Sequence, residues 1–353
     1  MKGVLIPDLE LKVMIFNNET FRDHYGVIPY LDEKEICYEA YPHVLFLAIP
    51  RSTRALEHLK SLEGKQVVLR FLRMNKKLES EVVGELTGTR SPLMPCMIGT
   101  EISLNEKLMR ARYSEVRIGN IREIVEVSPQ VRVHGRITDF ENKPKSNAYV
   151  ILTRPYGFPK GRAITKTNER GFYEMYVPEA TYHHAFVCDG RYGRDTLEFY
   201  GWNIQIKPPD HELNARFDKI ELYRLTAAET PERTLIIEFL PMDIACTIEN
   251  LKRIYEFKGK ISSEDICNER LYPKLSIEDI EVSLSGEKLE IRTLCRRYYL
   301  PKDLGIECPR PIYVLEAKIP SHIPPGKYDL RVIVHLDETQ EWGESMLSGL
   351  HIW

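Results

Sequence analysis

The chain has 353 residues, 43% of them hydrophobic and 29% charged, and its 49 basic and 52 acidic side chains leave a formal net charge of −3. That length suggests two or three domains, and the balanced charge excludes a whole-chain nucleic-acid footprint. No run approaches the roughly 18 apolar residues of a membrane span, and Pro7, Asp8 and Glu10 interrupt any signal-peptide core, so a cytoplasmic location is expected.

The 7 cysteines (Cys37, Cys96, Cys188, Cys246, Cys267, Cys295 and Cys308) are odd in number and widely spaced, with no CxxC pair for zinc or redox exchange. They read as free or buried thiols, with a disulfide in the C-terminal third as the alternative. Tyr (19) and Phe (12) are abundant, and aromatics suit pleated, half-buried surfaces.

Residues 1–128 form a first unit. Leu45 to Ile49 is a short apolar run, Thr53 can cap a helix carrying Leu56, Leu59 and Leu62, and Gly64 stops it. Val67 to Leu72, Glu81 to Leu86, Gly99 to Leu104 and Val116 to Val127 read as strands. Short strands after one helix predict a small, bent β-barrel or an α+β unit. The segments Gly64-Lys65-Gln66-Val67-Val68-Leu69 and Ile118-Gly119-Asn120-Ile121-Arg122-Glu123-Ile124 faintly resemble an SH3-like small barrel. Arg70, Arg73, Lys76 and Lys77 are its candidate local basic patch.

Pro129 marks a boundary, and residues 129–222 form a second unit. Val131, Val133, Gly135 and Ile137 alternate with Arg132, His134, Arg136 and Thr138, the period of a half-buried strand. Strands follow at Ala148–Thr153, Ala163–Thr167, Phe172–Val177, Tyr182–Cys188, Thr196–Phe199 and Asn203–Ile206, with a tight turn over Asn168–Gly171 and a Pro155–Gly161 loop. Strands this numerous with regular turns predict an antiparallel β-sandwich.

Here the residues resemble a known family. Val133-His134-Gly135-Arg136-Ile137-Thr138-Asp139, then Lys143-Pro144 and Ala148-Tyr149-Val150, then Thr165-Lys166-Thr167 with Gly171-Phe172-Tyr173, follow the pattern of the carboxypeptidase regulatory-like domain, a transthyretin-like β-sandwich. Asn142 stands where that family has a turn glycine, which Asn tolerates, and Ala180 stands near another. The resemblance implies a scaffold rather than a function.

Residues 233–353 form a third unit. Thr234–Phe239, Ile277–Leu284, Leu289–Leu294, Tyr313–Ile319 and Asp329–Leu336 read as strands, with a helix over Asp243–Phe257 and a turn at Ser285-Gly286. The Pro324-Pro325-Gly326-Lys327-Tyr328 turn into a closing strand resembles immunoglobulin-like accessory domains. The fold class is therefore mainly β and multidomain.

No G-x-S-x-G, H-E-x-x-H, P-loop or dinucleotide fingerprint is present. The adjacent His183 and His184 should point to opposite faces of a strand, and no metal or cofactor is expected. Asp139, Glu141, Glu338 and Glu341 lie in turns or loops, and nothing in the sequence sets their spacing or burial. The chain thus reads as a non-catalytic structural or protein-interaction protein, not an enzyme, whose partner is another protein or a second copy of itself. A carbohydrate-binding accessory protein is one alternative; an enzyme with an unrecognised site in the first or last unit is another. The candidate partner or glycan surface is the aromatic stretch with Tyr192, Arg194, Tyr200 and Trp202, where rings and a guanidinium could stack on a ligand.

Overall fold

The computed structural model describes residues 8–16, 24–26, 35–37, 43–73, 77–88, 98–103, 111–155, 162–299 and 310–353. Pro7, Lys76, Cys96, Leu104, Gly161 and Cys308, each named above, lie outside them. The protein is mainly β and multidomain, built from facing sheets.

The N-terminal strands are β1 (Leu9–Phe16), β2 (His24–Gly26), β3 (Glu35–Cys37), β4 (His43–Pro50), β5 (Gln66–Leu72), β6 (Leu78–Glu85), β7 (Thr87–Gly88), β8 (Ile98–Ser103), β9 (Tyr113–Ile118) and β10 (Ile121–Glu126). Helix α1 (Thr53–Lys60) follows β4. Its N-cap is Ser52, one residue before the expected Thr53, because the Ser52 hydroxyl accepts the Ala55 N–H at 3.2 Å. The expected barrel does not form among the described residues. Instead the strands make two separate four-stranded sheets, β1-β4-β8-β7 and β10-β9-β5-β6. Alternate residues Val13, Val44, Phe46, Val67, Leu69, Phe71 and Val116 bury one face of each against Leu59 of the helix.

The central strands are β11 (Gln130–Thr138), β12 (Tyr149–Pro155), β13 (Arg162–Lys166), β14 (Phe172–Pro178), β15 (Ala180–Cys188), β16 (Phe199–Ile206), β17 (Asp210–Glu212) and β18 (Ala215–Arg216). Sheet β14-β11-β17, with β18 on the end of β11, faces β13-β12-β15-β16. Val131, Val133 and Ile137 of β11 point inward and meet Val150, Leu152, Val187 and Phe199. The two special turns hold: Asn142 (φ 64°) and Gly171 (φ 78°) are left-handed. At Gly135 a side chain would collide with the Leu213 carbonyl, 2.1 Å from an added Cβ, so glycine lets the chain of β17–β18 run against β11.

Three expectations are corrected here. Thr196–Leu197 is not strand, because the 189–198 loop is held by turn hydrogen bonds such as Gly193 N–H to Thr196 C=O at 2.8 Å. The sandwich is not purely antiparallel, since β17 and β18 pair parallel to β11. His183 and His184 do not diverge: their Nδ1 atoms lie 2.9 Å apart. Opposite them Asn203 takes a left-handed φ of 57°, and the 183/203 pair is missing from the β15–β16 ladder, so local parity fails.

The C-terminal elements are β19 (Ile220–Glu229), β20 (Thr234–Asp243), α2 (Glu249–Lys258), α3 (Ser263–Ile266), β21 (Ile280–Leu284), β22 (Glu287–Lys288), β23 (Glu290–Tyr299), β24 (Arg310–Lys318), β25 (Gly326–Leu336) and β26 (Glu341–Ile352). The expected 243–257 helix begins as a π-helical turn over Ile244–Ile248 before α2. Sheet β19-β20-β24-β23 faces β26-β25-β21-β22, and Ile220, Leu235, Phe239, Val282, Leu315, Leu330 and Val332 fill the space between. At twelve residues, β26 is long enough to pair with β25 on one side and, in parallel, with Tyr200, Gly201 and Trp202 of β16 on the other. Central and C-terminal sandwiches therefore share one eight-stranded sheet.

Cys188, Cys246 and Cys295 are thiols outside any disulfide. Cys267 is disulfide-bonded, which corrects the reading of the cysteines as free or buried thiols at that position.

Candidate functional site

The sequence-selected aromatics lie at this shared sheet. Tyr200 and Trp202, two residues apart on β16, project on one side and stack at 5.1 Å with 17° between ring planes. Tyr223 of β19 tilts against Tyr200 at 5.0 Å, and Phe186 meets both Tyr200 and Tyr192 edge-on. Trp202 packs against the C-terminal core, with its indole N–H buried and unpartnered. Burial next to Glu198 and Glu221 pushes the Tyr192 phenol well above its usual range. Arg194 is separate: it is exposed in the 191–196 turn, and no ring contact, ion pair or side-chain hydrogen bond ties it to the cluster among the described residues. The structure thus joins three of the four and leaves Arg194 outside.

Beneath those rings sits a feature that composition hides. Glu198 and Glu221 are 0% and 1% exposed. Tyr223 donates its hydroxyl to Glu198 Oε1 at 2.9 Å, while Oε2 of each glutamate is buried without a partner. Burial first, and then the Glu198 charge, raise the Glu221 carboxyl well above the ordinary range, so Glu221 holds its proton more tightly than an exposed glutamate does. Asp243 and Glu341, each 2% exposed, form a second buried acidic pair. Glu341, expected in a loop, instead opens β26.

The solvent side of β14-β11-β17 differs. Along β14, Tyr173, Met175 and Val177 face the core, which turns Phe172, Glu174 and Tyr176 outward. Phe172 and Tyr176 are each 50% exposed. On β11 their partners are Arg136 opposite Phe172, His134 opposite Glu174 and Arg132 opposite Tyr176. The Arg136 guanidinium lies over the Phe172 ring at 5.5 Å, and Arg132 bonds Glu174 at 2.6 Å. His134 meets Asp210 of β17 at 3.3 Å.

At one end this face opens into a groove of about 530 Å³, whose lining includes Arg136, Phe172, Asn214, Arg216 and Arg331. Arg216 of β18 and Arg331 of β25 both donate to Glu344, which is 0% exposed. A stack continues away from Arg216: its guanidinium lies 4.9 Å from the Phe140 ring, Phe140 stacks on Trp342 at 5.1 Å, and Trp342 on His335 at 3.7 Å. Both sandwiches contribute to the site, and sequence separation of more than a hundred residues concealed it. The one available signal was the double parity of Phe172 to Val177, apolar inward and aromatic outward. Among the described residues no group of three or more His, Cys, Asp or Glu is placed to hold a metal ion. No helix there is long and apolar enough to cross a membrane.

No family model matches the chain, and no curated protein matches it. Among solved structures it is similar to a DUF3823 family protein from Bacteroides ovatus, with 9% identity, 62% of this chain and 98% of that chain covered, and a TM-score of 0.19. A DUF3823 family protein from Parabacteroides merdae gives 10%, 64%, 100% and 0.20, and the major pilin subunit of Bacillus cereus gives 9%, 63%, 69% and 0.20. Likenesses at these TM-scores determine neither the fold nor the function of this chain.

Proposed function

We propose that this chain is a non-catalytic structural or protein-interaction protein whose contact surface is the outer face of β14-β11-β17. The carrying observation is the pair of half-exposed rings, Phe172 and Tyr176, set opposite Arg136 and Arg132 on a rigid sheet. Aromatic and Arg side chains are the residue types that dominate protein interfaces, and here strand pairing pre-organises them. The left-handed turns at Asn142 and Gly171 support reading the central sandwich as a carboxypeptidase regulatory-like, transthyretin-like module.

Two observations favour this over catalysis or glycan binding. The perturbed acids Glu221 and Glu341 are at most 2% exposed, whereas a general acid must reach its substrate directly or through one water. A sugar platform of several open rings is not formed among the described residues of this face or of the 192–202 stretch, since Arg136 lies over Phe172 and Tyr200 and Trp202 stack on each other, which leaves Tyr176 as a single half-exposed ring there. The Cys267 disulfide weighs toward an oxidising compartment rather than the cytoplasm.

The test is a Phe172→Ser/Tyr176→Ser double variant, assayed by sedimentation for self-association and by affinity capture from the source cells. Association lost at an unchanged Tm supports the surface. Association retained by that variant but lost in Tyr200→Ala rejects it in favour of the 192–202 stretch.

A further inference from the structure

We infer that the groove between β11, β18 and β25 takes the carboxylate side chains of an extended acidic segment of a partner protein. This deepens the interaction reading and rests on it. Three guanidiniums, those of Arg136, Arg216 and Arg331, line the groove. Among the described residues two carboxylates stand against them: Glu344 beneath, and Glu212 in the wall, whose Oε1 is already engaged by the Asn214 amide at 3.0 Å. One positive charge is in excess.

The arginines are held in ways that leave donors outward. Arg216 spends its Nε on Glu344 at 2.6 Å and lies over Phe140, and among the described residues its two terminal nitrogens have no hydrogen-bond partner. Arg331 bonds Glu344 through Nη1 and the Asn214 carbonyl through Nη2 at 3.1 Å. It is spent as a structural tie. Among the described residues the Arg136 guanidinium gives one hydrogen bond, from its Nε to the Arg170 carbonyl at 3.4 Å. Arg136 and Arg216 thus present paired N–H donors, the fork that binds a carboxylate through two parallel hydrogen bonds. Glu344 orients Arg216 without occupying the forward edge.

The shape selects a peptide. A second groove of about 330 Å³ shares His134, Gly135 and Phe172 with the first and carries the surface on to Arg132, whose Nε is engaged by Glu174 of the same groove at 2.6 Å. Arg132 and Arg136 are four residues apart on one face of β11, roughly 13 Å at the rise of a strand. An extended peptide has the same repeat, so alternate acidic side chains of one segment run in step with the row.

The probe is a short fluorescein-labelled peptide alternating Asp and Gly, followed by anisotropy against the full chain at low salt and at about 0.15 M salt. Binding that weakens with salt, is absent for the Asn-Gly analogue and falls about tenfold in Arg136→Gln supports the site. Arg136→Gln is the informative variant because its guanidinium carries no ion pair among the described residues. Arg216→Gln should give a similar loss, with melting temperature measured alongside. No binding by the wild-type chain, equal binding by Arg136→Gln, or preferential competition by a glucuronate oligosaccharide overturns the inference. Failure of the peptide while the Phe172→Ser/Tyr176→Ser variant still abolishes partner association sinks this inference and leaves the proposed surface standing. Association that survives in that variant sinks the surface itself.

Discussion

Replacing Glu341 by Gln should stabilise the protein at alkaline pH and leave it unchanged in acid. Glu341 is 2% exposed. Its oxygens accept the Ala245 N–H and the Thr339 hydroxyl, each at 3.1 Å, but no cation among the described residues is bonded to it. Burial, reinforced by the Asp243 charge, pushes its carboxyl up to about 7 from an ordinary 4.5. Between those values the folded chain keeps a proton that the unfolded chain has released. Unfolding is then favoured by rising pH, and this stabilisation is complete below about pH 4.5 and spent above about pH 7. At about 1.4 kcal/mol per pH unit, the gap of about 2.5 units corresponds to about 3 kcal/mol. Glutamine keeps the shape and one acceptor oxygen and removes the titration. Urea unfolding of both proteins at several pH values from 4.5 to 8 gives their difference. The variant should match the wild type at the acid end and exceed it by up to about 3 kcal/mol at pH 8. A difference that is constant across the range, or a variant weaker at pH 8, would refute the burial argument.

Glu221→Gln should act in the same direction, because its carboxyl is also raised by burial and by Glu198; a pH scan of Tm should be flatter than that of the wild type. Glu344→Ala leaves two guanidiniums without their common carboxylate and should cost about 3–5 kcal/mol in urea unfolding; a cost under about 1 kcal/mol would show that the triad contributes little. Gly171→Val combines a left-handed φ with a Cβ 2.4 Å from the Ile137 carbonyl, so a clear fall in Tm is expected and an unchanged Tm would disprove the turn. Under native, non-reducing conditions a thiol reagent should modify the exposed Cys295 first, Cys246 slowly because burial pushes its thiol up to about 11, and Cys267 only after reduction; rapid labelling of Cys267 would contradict its disulfide.

Strand placement was largely legible because burial follows parity. Val131 and Val133 on β11, and Val332 and Val334 on β25, are all 0% exposed, as their alternation implies. Parity failed where backbone geometry was special, as at Asn203 beside the two histidines. Pairing between β16 and β26 was not legible, since nothing local to residues 200–202 or 345–347 selects a partner 145 positions away. The buried acids were hidden for a related reason. The chain has 52 acidic residues, and only packing of β19 and β26 against the central sandwich separates Glu198, Glu221, Glu341 and Glu344 from the rest. The aromatic stretch was found as a cluster, but its geometry closes a seam. The outward rings on β14 were passed over because the same strand reads equally well as core.

Hydrogen–deuterium exchange of the full chain, alone and with its captured partner or the Asp-Gly peptide, tests the central claim most directly. Slowed exchange at residues 132–136, 172–176 and 210–216, with 190–202 unchanged, is the expected result. Protection confined to 190–202, with the β11 and β14 segments unaffected, would contradict the account.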